Sequence, residues 1–182
     1  MGFKDDVEQS SSGDYYKFAE GENKLRILSE PVKKVSRFRY GICYEGAPYC
    51  TDLPDGEKLS VKFACWAIDR KSGRQVILDL PMTVAKPLKE LMVSEEYGFE
   101  DFPMPYDITV KAVGAGTKEV EYSVIAARKN SELTQEELDE FAKKTPITEI
   151  LEKQKEKARA QNSTPVESGE MPADEPVGDI PF

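Results

Sequence analysis

The fold is decided by residues 59–68, which read LSVKFACWAI, together with the polar segment RKSGR at 70–74 and the apolar residues Val76, Ile77 and Leu78 that follow it. An apolar run rich in aromatic and β-branched side chains and bounded by turn residues is typical of a strand. Gly73 and its polar neighbours supply the turn chemistry between the two runs. The sequence therefore predicts a β-hairpin over residues 59–80, with basic side chains at its tip.

Four further stretches show strand patterns. Residues 24–28 alternate polar and apolar side chains, and residues 35–44 are rich in aromatic and β-branched ones. Residues 106–112 and 120–124 alternate on either side of a turn made by Gly114, Ala115, Gly116 and Thr117, which predicts a second hairpin. We expect one face of this second hairpin to be buried and the other to face water.

Helical periodicity appears between the hairpins and after the second one. Leu88, Leu91 and Met92 stand at i, i+3 and i+4 behind Pro87, which suits a first helical turn. Further on, Thr134 followed by Glu137 is a capping-box pattern, which predicts that a helix starts near residue 134. Its inward side chains should be Leu138, Phe141 and Ala142, with Leu133 stapled to Leu138. A last helix, begun by Thr145 and Pro146, has an apolar face of Ile147, Ile150 and Leu151.

This element order defines the expected fold class. About five strands, a helix between two hairpins and two C-terminal helices are typical of a small, mainly β, OB-fold-like β-barrel with added helices, and the alternative is a β-sandwich. We divide the chain into a flexible N-terminal arm (1–20), the OB-fold-like domain (21–130), the C-terminal helices (131–160) and a disordered acidic tail (161–182). The arm ends in Tyr15, Tyr16 and Phe18, which could lie on the domain, and the tail has too few bulky apolar side chains to fold.

Composition excludes several function classes. The 182 residues contain no histidine, which removes Ser-His and Cys-His nucleophile pairs and imidazole metal ligands, and no carboxylate spacing suggests a nuclease. We expect no enzymatic activity and no cofactor. Cys43, Cys50 and Cys65 are irregularly spaced, so we expect thiols in a reducing compartment, with a zinc site as the less favoured alternative and Cys65 in the core. Without a signal sequence or membrane span, the expected location is the cytoplasm, that of a bacterial host if the chain is phage-encoded.

The net charge of −9 hides a basic segment. Residues 24–39 carry six Lys or Arg side chains against Glu30 alone, whereas residues 161–182 carry five acidic side chains and no basic one. Cations interleaved with aromatic rings on adjacent strands suit a single-stranded nucleic acid, because the cations track phosphates and the rings stack on bases. The candidate binding residues are Lys24, Arg26, Lys33, Lys34, Arg37, Phe38, Arg39, Tyr40, Tyr44, Lys62, Trp66, Arg70, Lys71 and Arg74. Phe63 is a further stacking candidate, although Lys62 and Trp66 share the strand face that we favour.

The last nine residues, DEPVGDIPF, form an acidic linker that ends in a short apolar plug. Such a segment suits an aromatic-binding pocket ringed by Lys or Arg on a partner protein. The expected partner-binding residues are Asp174, Glu175, Asp179, Ile180, Pro181 and Phe182. This ending closely resembles the acidic tip of bacterial single-stranded DNA-binding proteins, where an Asp-Ile-Pro-Phe terminus recruits DNA-processing enzymes.

The preceding part of the chain is more similar to phage-encoded single-stranded DNA-binding proteins, which pair one OB-fold domain with such a tail. The similarity is carried by residues 21–28 (GENKLRIL), 67–70 (AIDR) and 105–108 (PYDI), with Gly114 and Gly116 in the second hairpin. It implies a protein that coats single strands in replication, recombination or repair, recruits enzymes of those processes, and holds its tail in its own basic groove until DNA displaces it.

Two other functions stay open at this point. The chain could be an adaptor that binds replication or recombination proteins without contacting DNA, or an acidic DNA mimic that inhibits an enzyme. The basic, aromatic segment is the feature that neither of these would need. The sequence also leaves open whether the protein forms a homo-oligomer.

Overall fold

The computed structural model describes residues 15–163 as a seven-stranded sheet with helices at its surfaces. The strands are β1 (Gly21–Ile27), β2 (Val32–Arg37), β3 (Gly41–Ile42), β4 (Ser60–Asp69), β5 (Gln75–Pro81), β6 (Ile108–Val113) and β7 (Glu121–Ala126). The helices are α1 (Pro48–Thr51), α2 (Met82–Met92), α3 (Gln135–Ala142) and α4 (Ile147–Ser163). Both predicted hairpins, β4–β5 and β6–β7, are confirmed.

The ten-residue strand β4 organises the sheet. It pairs antiparallel with β5 along one edge, and with β2 and then β1 along the other, so that Lys62 lies opposite Lys34 and Ala67 opposite Ile27. From β1 the order continues to β6 and β7. Because β4 has strand neighbours on both edges and packed side chains on both faces, its sequence is an apolar run with little polar alternation.

Two clusters of buried side chains lie on the two faces of β4. Cys65 and Ala67 face the first cluster, which β1, β5, β6 and Val84 and Leu88 of α2 complete. Trp66 and its neighbours on the opposite face belong to the second cluster, which is covered by two residues of α4, Ile147 and Leu151. The predicted apolar face of the last helix and the core position of Cys65 are both confirmed.

The sheet does not close into a barrel within residues 15–163. No pairing joins β5 to β7, and α2 packs against β4, β5 and β7. The prediction of a mainly β protein with two C-terminal helices is confirmed, whereas a closed barrel is not found in this part of the chain. The helix occupies the side of the sheet where a closing strand pair would have to form.

The helices differ from prediction in two details. α2 begins at Met82 directly after β5, so Pro87 lies inside the helix and not in its first turn. The capping box of α3 is confirmed, since the Thr134 hydroxyl accepts a hydrogen bond from the Glu137 N–H and Glu137 accepts one in return. However, Leu138 and Ala142 are exposed and only Phe141 packs against the sheet, because α3 is held mainly by polar contacts of Glu137 with Arg70 and Gln75.

The described part of the N-terminal arm lies on the sheet, as predicted. Tyr15 forms a parallel bridge with Ile77, and the Tyr16 N–H donates to the Ile77 carbonyl at 2.9 Å. The Tyr15 hydroxyl also accepts a hydrogen bond from Gln154 of α4. Residues 1–14 and 164–182 lie outside the described residues, which leaves out all of the predicted acidic tail except residues 161–163; these three form the end of α4 and are not disordered. None of the helices within 15–163 has the length and apolarity needed to cross a membrane.

Candidate nucleic-acid interface

The tip of the β2–β3 hairpin presents aromatic side chains to solvent. Its loop consists of residues 38–40, and the Tyr40 N–H donates to the Arg37 carbonyl across the turn at 3.1 Å. Phe38 is 82% exposed and Tyr40 is 56% exposed, which is unusual for large rings in a folded domain. Arg39 has a positive φ of 70° and its guanidinium lies over the Phe38 ring, so a cation and a ring share this tip.

Arg37 anchors this tip and does not belong to its exposed surface. Its side chain is buried, with Nη2 at 2.6 Å from the Glu57 carboxylate and Nη1 donating to the Tyr49 carbonyl. Its guanidinium also lies 4.4 Å from the centre of the Tyr40 ring. The charge of Arg37 is already paired inside the protein, so the structure does not support the predicted phosphate contact. Its side chain instead holds the hairpin tip in position.

A disulfide bond holds the segment that follows the hairpin. Cys43 and Cys50 are bonded to each other, so the expectation of free thiols at these positions is wrong, and neither sulfur is available as a zinc-binding thiolate. The chain turns back through α1 and brings their Cα atoms within 6.0 Å, which spacing alone does not reveal. Cys65 remains a thiol, and burial, aided by the nearby Asp79 charge, raises its pKa.

Tyr49 of α1 connects the disulfide loop to the hairpin. Its hydroxyl donates to the Ile42 carbonyl at 2.7 Å, and its ring stacks on Tyr40 with centres 5.5 Å apart. Burial, followed by the neighbouring Tyr44, raises the pKa of Tyr49, so that its hydroxyl stays a donor at neutral pH. One face of the Tyr40 ring is therefore already occupied, whereas no such stacking partner covers Phe38 among the described rings.

A groove of about 560 Å³ runs from this tip to α4. Its floor includes Lys34 and Lys62, which are cross-strand partners, and its far wall is the α4 surface around Lys157 and Ala158. The Lys34 ammonium is bonded to Asp79 at 2.9 Å and lies over the Tyr15 ring. By contrast, Lys62 and Lys157 form no ion pair with any residue of 15–163.

The sequence interpretation missed the α4 side of this groove. The candidate residues named from the sequence include neither Lys157 nor Arg159, whose guanidinium lies 5.2 Å from the centre of the Tyr44 ring. The signal was present as Gln154, Lys157 and Gln161, which recur at i, i+3 and i+7 and so share one helix face. Tyr44 is half-buried beneath Arg159 and contributes less open ring surface than Phe38.

Two residues expected at the interface are buried. Arg26 is 1% exposed: Nε donates to Asp107 at 2.6 Å, the Nη1 group donates to the carbonyls of Met104 and Ser131, and Nη2 reaches the Ser131 hydroxyl. Trp66 is 4% exposed and donates its indole N–H to the Thr145 carbonyl. Both predictions are wrong for the same reason, because the α3 and α4 region covers the face of β1 and β4 on which these side chains lie.

The remaining basic residues lie away from the groove. Lys33 is exposed on the opposite face of the sheet, where its cross-strand partner Phe63 packs against the first core. Arg70 lies at the β4–β5 turn, about 26 Å along β4 from Lys62 at 3.3 Å per residue. It is engaged by Asp107 and Glu137. Exposed side chains near that turn are Lys24, Lys71 and Arg74.

The structure therefore brings together six of the predicted residues: Lys34, Arg37, Phe38, Arg39, Tyr40 and Lys62. The predicted partner-binding residues Asp174, Glu175, Asp179, Ile180, Pro181 and Phe182 lie outside the described chain. Comparisons with protein-family models, curated protein sequences and solved structures found no match to this chain. Any functional assignment consequently rests on the groove and on the sequence itself.

Proposed function

We propose that this chain binds single-stranded DNA without sequence preference. In this proposal it coats and protects single strands during phage DNA replication, recombination or repair, and it has no catalytic role. The observation that carries the proposal is the groove between the β2–β3 tip and α4, where an 82%-exposed ring stands beside cations that have no ion-pair partner within residues 15–163. A protein adaptor or an acidic mimic has no use for such an arrangement.

The groove provides both elements of non-specific single-strand recognition. Arg39, Lys62 and Lys157 would contact phosphates, and neutralising each phosphate releases condensed counterions. Phe38 would stack on a base, which contributes about 1–3 kcal/mol per base and tolerates every base because each has a π-face. Arg37 and Tyr49, which contact the Tyr40 ring, and the disulfide would keep the hairpin tip in place, so that little order has to be imposed when the strand binds.

The connectivity of the sheet supports an OB-fold variant as the finer description of the fold. The β1 and β2 strands together pair with the length of β4, β4 and β5 form a hairpin, α2 precedes the β6–β7 hairpin, and β6 returns to β1. This is the strand arrangement expected of a partly open, five-stranded Greek-key barrel whose first strand is bent. The bend falls at residues 28–31, between β1 and β2.

Titration of a fluorescent oligo-dT at several salt concentrations tests this proposal directly. Three to four cations in the groove predict a log-log slope of about −2 to −3 for a single strand. An oligo-dA of the same length should bind with similar affinity, and a duplex of the same length should bind more weakly. Affinity that does not change with salt, or tighter binding to the duplex, would contradict the proposal.

We also propose that the acidic C-terminal segment recruits DNA-processing enzymes, as its resemblance to bacterial tips implies. Its five carboxylates and the Ile-Pro-Phe ending offer charge around an apolar plug. The Phe182→Ala variant removes the plug and keeps every side-chain charge. A replication enzyme that binds the natural chain should therefore lose affinity for this variant, while the affinity of the chain for oligo-dT stays the same.

A further inference from the structure

An apolar pocket lies on the opposite side of the sheet from the basic groove. It has a volume of about 460 Å³ and is bounded by α2, the loop between β1 and β2, and one side chain of β4. Most of its apolar lining is formed by Phe63, Met82, Ala85, Leu88, Met92 and Phe102. Pockets of this size and composition are typical of sites that hold small ligands or a few peptide side chains.

The rim of this pocket is positively charged. Lys86 and Lys89 of α2 line its edge, and both are exposed without an ion-pair partner among the described residues. Lys33 is exposed on the same face, because it is the cross-strand partner of Phe63. Glu30 is the only carboxylate among the lining residues. An apolar floor with lysines around it selects a ligand that combines an apolar group with flanking negative charge.

We propose that this pocket binds the C-terminal segment 174–182 of the same chain. In that segment Ile180, Pro181 and Phe182 supply the apolar group, and Asp174, Glu175 and Asp179 supply the negative charge. Both the hydrophobic and the electrostatic requirement of the pocket are therefore met by nine consecutive residues of this protein. The proposal goes beyond DNA binding and does not depend on it.

The intervening chain is long enough for docking within one molecule. Nineteen residues follow Ser163, the last residue of α4, with Phe182 as the nineteenth. They can span about 65 Å when extended, whereas a domain of this size is about 40 Å across. A tether of this length gives an effective concentration in the millimolar range, so even a weak contact is populated.

The location of the pocket has a consequence for the groove. Phe63 and Lys62 are adjacent in β4 and therefore point to opposite faces of the sheet. A segment bound at Phe63 leaves the groove at Lys62 accessible to DNA. This differs from a tail that occupies the basic groove itself, because docking in the pocket hides the apolar plug without competing with a DNA strand.

Methyl NMR of the full-length chain without DNA tests the proposal. Of the five methionines, Met82 and Met92 line the pocket, whereas Met104 lies in the core and does not line it. We expect Phe182→Ala to shift the methyl signals of Met82 and Met92 and to leave that of Met104 in place. The matched control Val166→Ala, an apolar substitution in the tail but outside segment 174–182, should leave all three unchanged.

Charge reversal provides a second, independent readout. In the double variant Lys86→Glu, Lys89→Glu the segment should no longer dock, so adding Phe182→Ala should cause no further shift of the methyl signals of Met82 and Met92. The control Lys111→Glu, Lys118→Glu makes the same charge change at exposed positions outside the pocket. The proposal would be overturned if the methyl signals of Met82 and Met92 did not respond to Phe182→Ala. It would also be overturned if the response depended on protein concentration, because that would indicate docking between two copies of the chain.

Discussion

Lys34 and Lys62 lie directly opposite each other in the β2–β4 pair, on the same face of the sheet. Like charges in this position destabilise a sheet. Asp79 neutralises Lys34 at 2.9 Å, but no carboxylate within the described chain pairs with Lys62. A fold selected for stability alone would place a neutral β-former at position 62, so the second lysine supports the proposal that this face binds an anionic ligand.

The Lys62→Thr variant separates the effect of Lys62 on stability from its effect on DNA binding. We expect the unfolding free energy to stay within about 0.5 kcal/mol of the natural chain or to rise, because a like-charge pair is removed. The affinity for oligo-dT should fall, and the salt slope should become shallower by about 0.7 because one phosphate contact is lost. Lys111→Thr, the same change at an exposed position of β6, should alter neither the affinity nor the slope.

Substitutions of Phe38 test stacking at the hairpin tip. Phe38→Ala should weaken oligo-dT binding by about 1–3 kcal/mol, roughly 5- to 150-fold, with no change in salt slope, because no charge is removed. Phe38→Trp should retain the affinity, since it keeps a π-face at the same place. An affinity for Phe38→Ala equal to that of the natural chain would place the strand elsewhere on the protein.

The buried Arg26 should matter for folding and not for binding. Replacing it by Met removes its bonds to Asp107, Met104 and Ser131, and breaking such a buried, paired charge costs roughly 3 kcal/mol in urea unfolding. The exposed Lys24→Met, two residues earlier in the same strand, should cost less than about 0.5 kcal/mol. At a temperature where both variants are folded, the Arg26→Met chain should bind oligo-dT as tightly as the natural chain does.

Glu137 should make part of the stability depend on pH. Burial by itself raises its pKa, but hydrogen bonds from the Thr134 N–H and from Arg70, with the charge of Arg70, outweigh this and leave the pKa below its ordinary value. A carboxyl with a lowered folded-state pKa stabilises the fold above its ordinary pKa of about 4.3 and loses this contribution as the pH falls through the lowered value.

The Glu137→Gln variant should therefore be about 1 kcal/mol less stable than the natural chain at pH 7, and this difference should shrink towards pH 3. Urea unfolding at both pH values measures the change. Glu136→Gln, at an exposed neighbouring position of α3, should differ little from the natural chain in unfolding free energy at both pH values. If the difference in unfolding free energy between Glu137→Gln and the natural chain were the same at pH 3 and pH 7, it would contradict the assigned charge interaction.

The disulfide offers the last prediction. Cys43 and Cys50 close a loop of about eight residues. The bond restricts the conformations of the unfolded chain, so removing it should lower the free energy of unfolding by roughly 2 kcal/mol. The double variant Cys43→Ser, Cys50→Ser should lose this amount in thermal or urea unfolding. Added dithiothreitol should destabilise the natural chain to a similar extent and leave the double variant unaffected. Equal stability of the natural chain with and without reductant would contradict the bond.

Local patterns predicted the elements of this fold well, and tertiary packing decided the rest. The β4–β5 hairpin and the Thr134 capping box depend on neighbouring residues, so the sequence alone identifies them. Which aromatic rings are exposed is set by what covers each face: α4 buries Trp66, whereas Phe38 lies at the hairpin tip and stays 82% exposed. Similarly, Arg26 and Arg39 are both basic residues in strand-like segments, and only the distant Asp107 and Ser131 distinguish them.

The Tyr15–Ile77 bridge described above covers part of an exposed strand edge. Because β5 does not pair with β7, its outer edge has backbone N–H and C=O groups that could accept a strand from another molecule. The Tyr16 N–H occupies the Ile77 carbonyl on that edge, and the Tyr15 hydroxyl is tied to Gln154 of α4. The arm thus interrupts the edge near its middle, and a chain shortened past Tyr16 would present an uninterrupted template for aggregation or strand exchange.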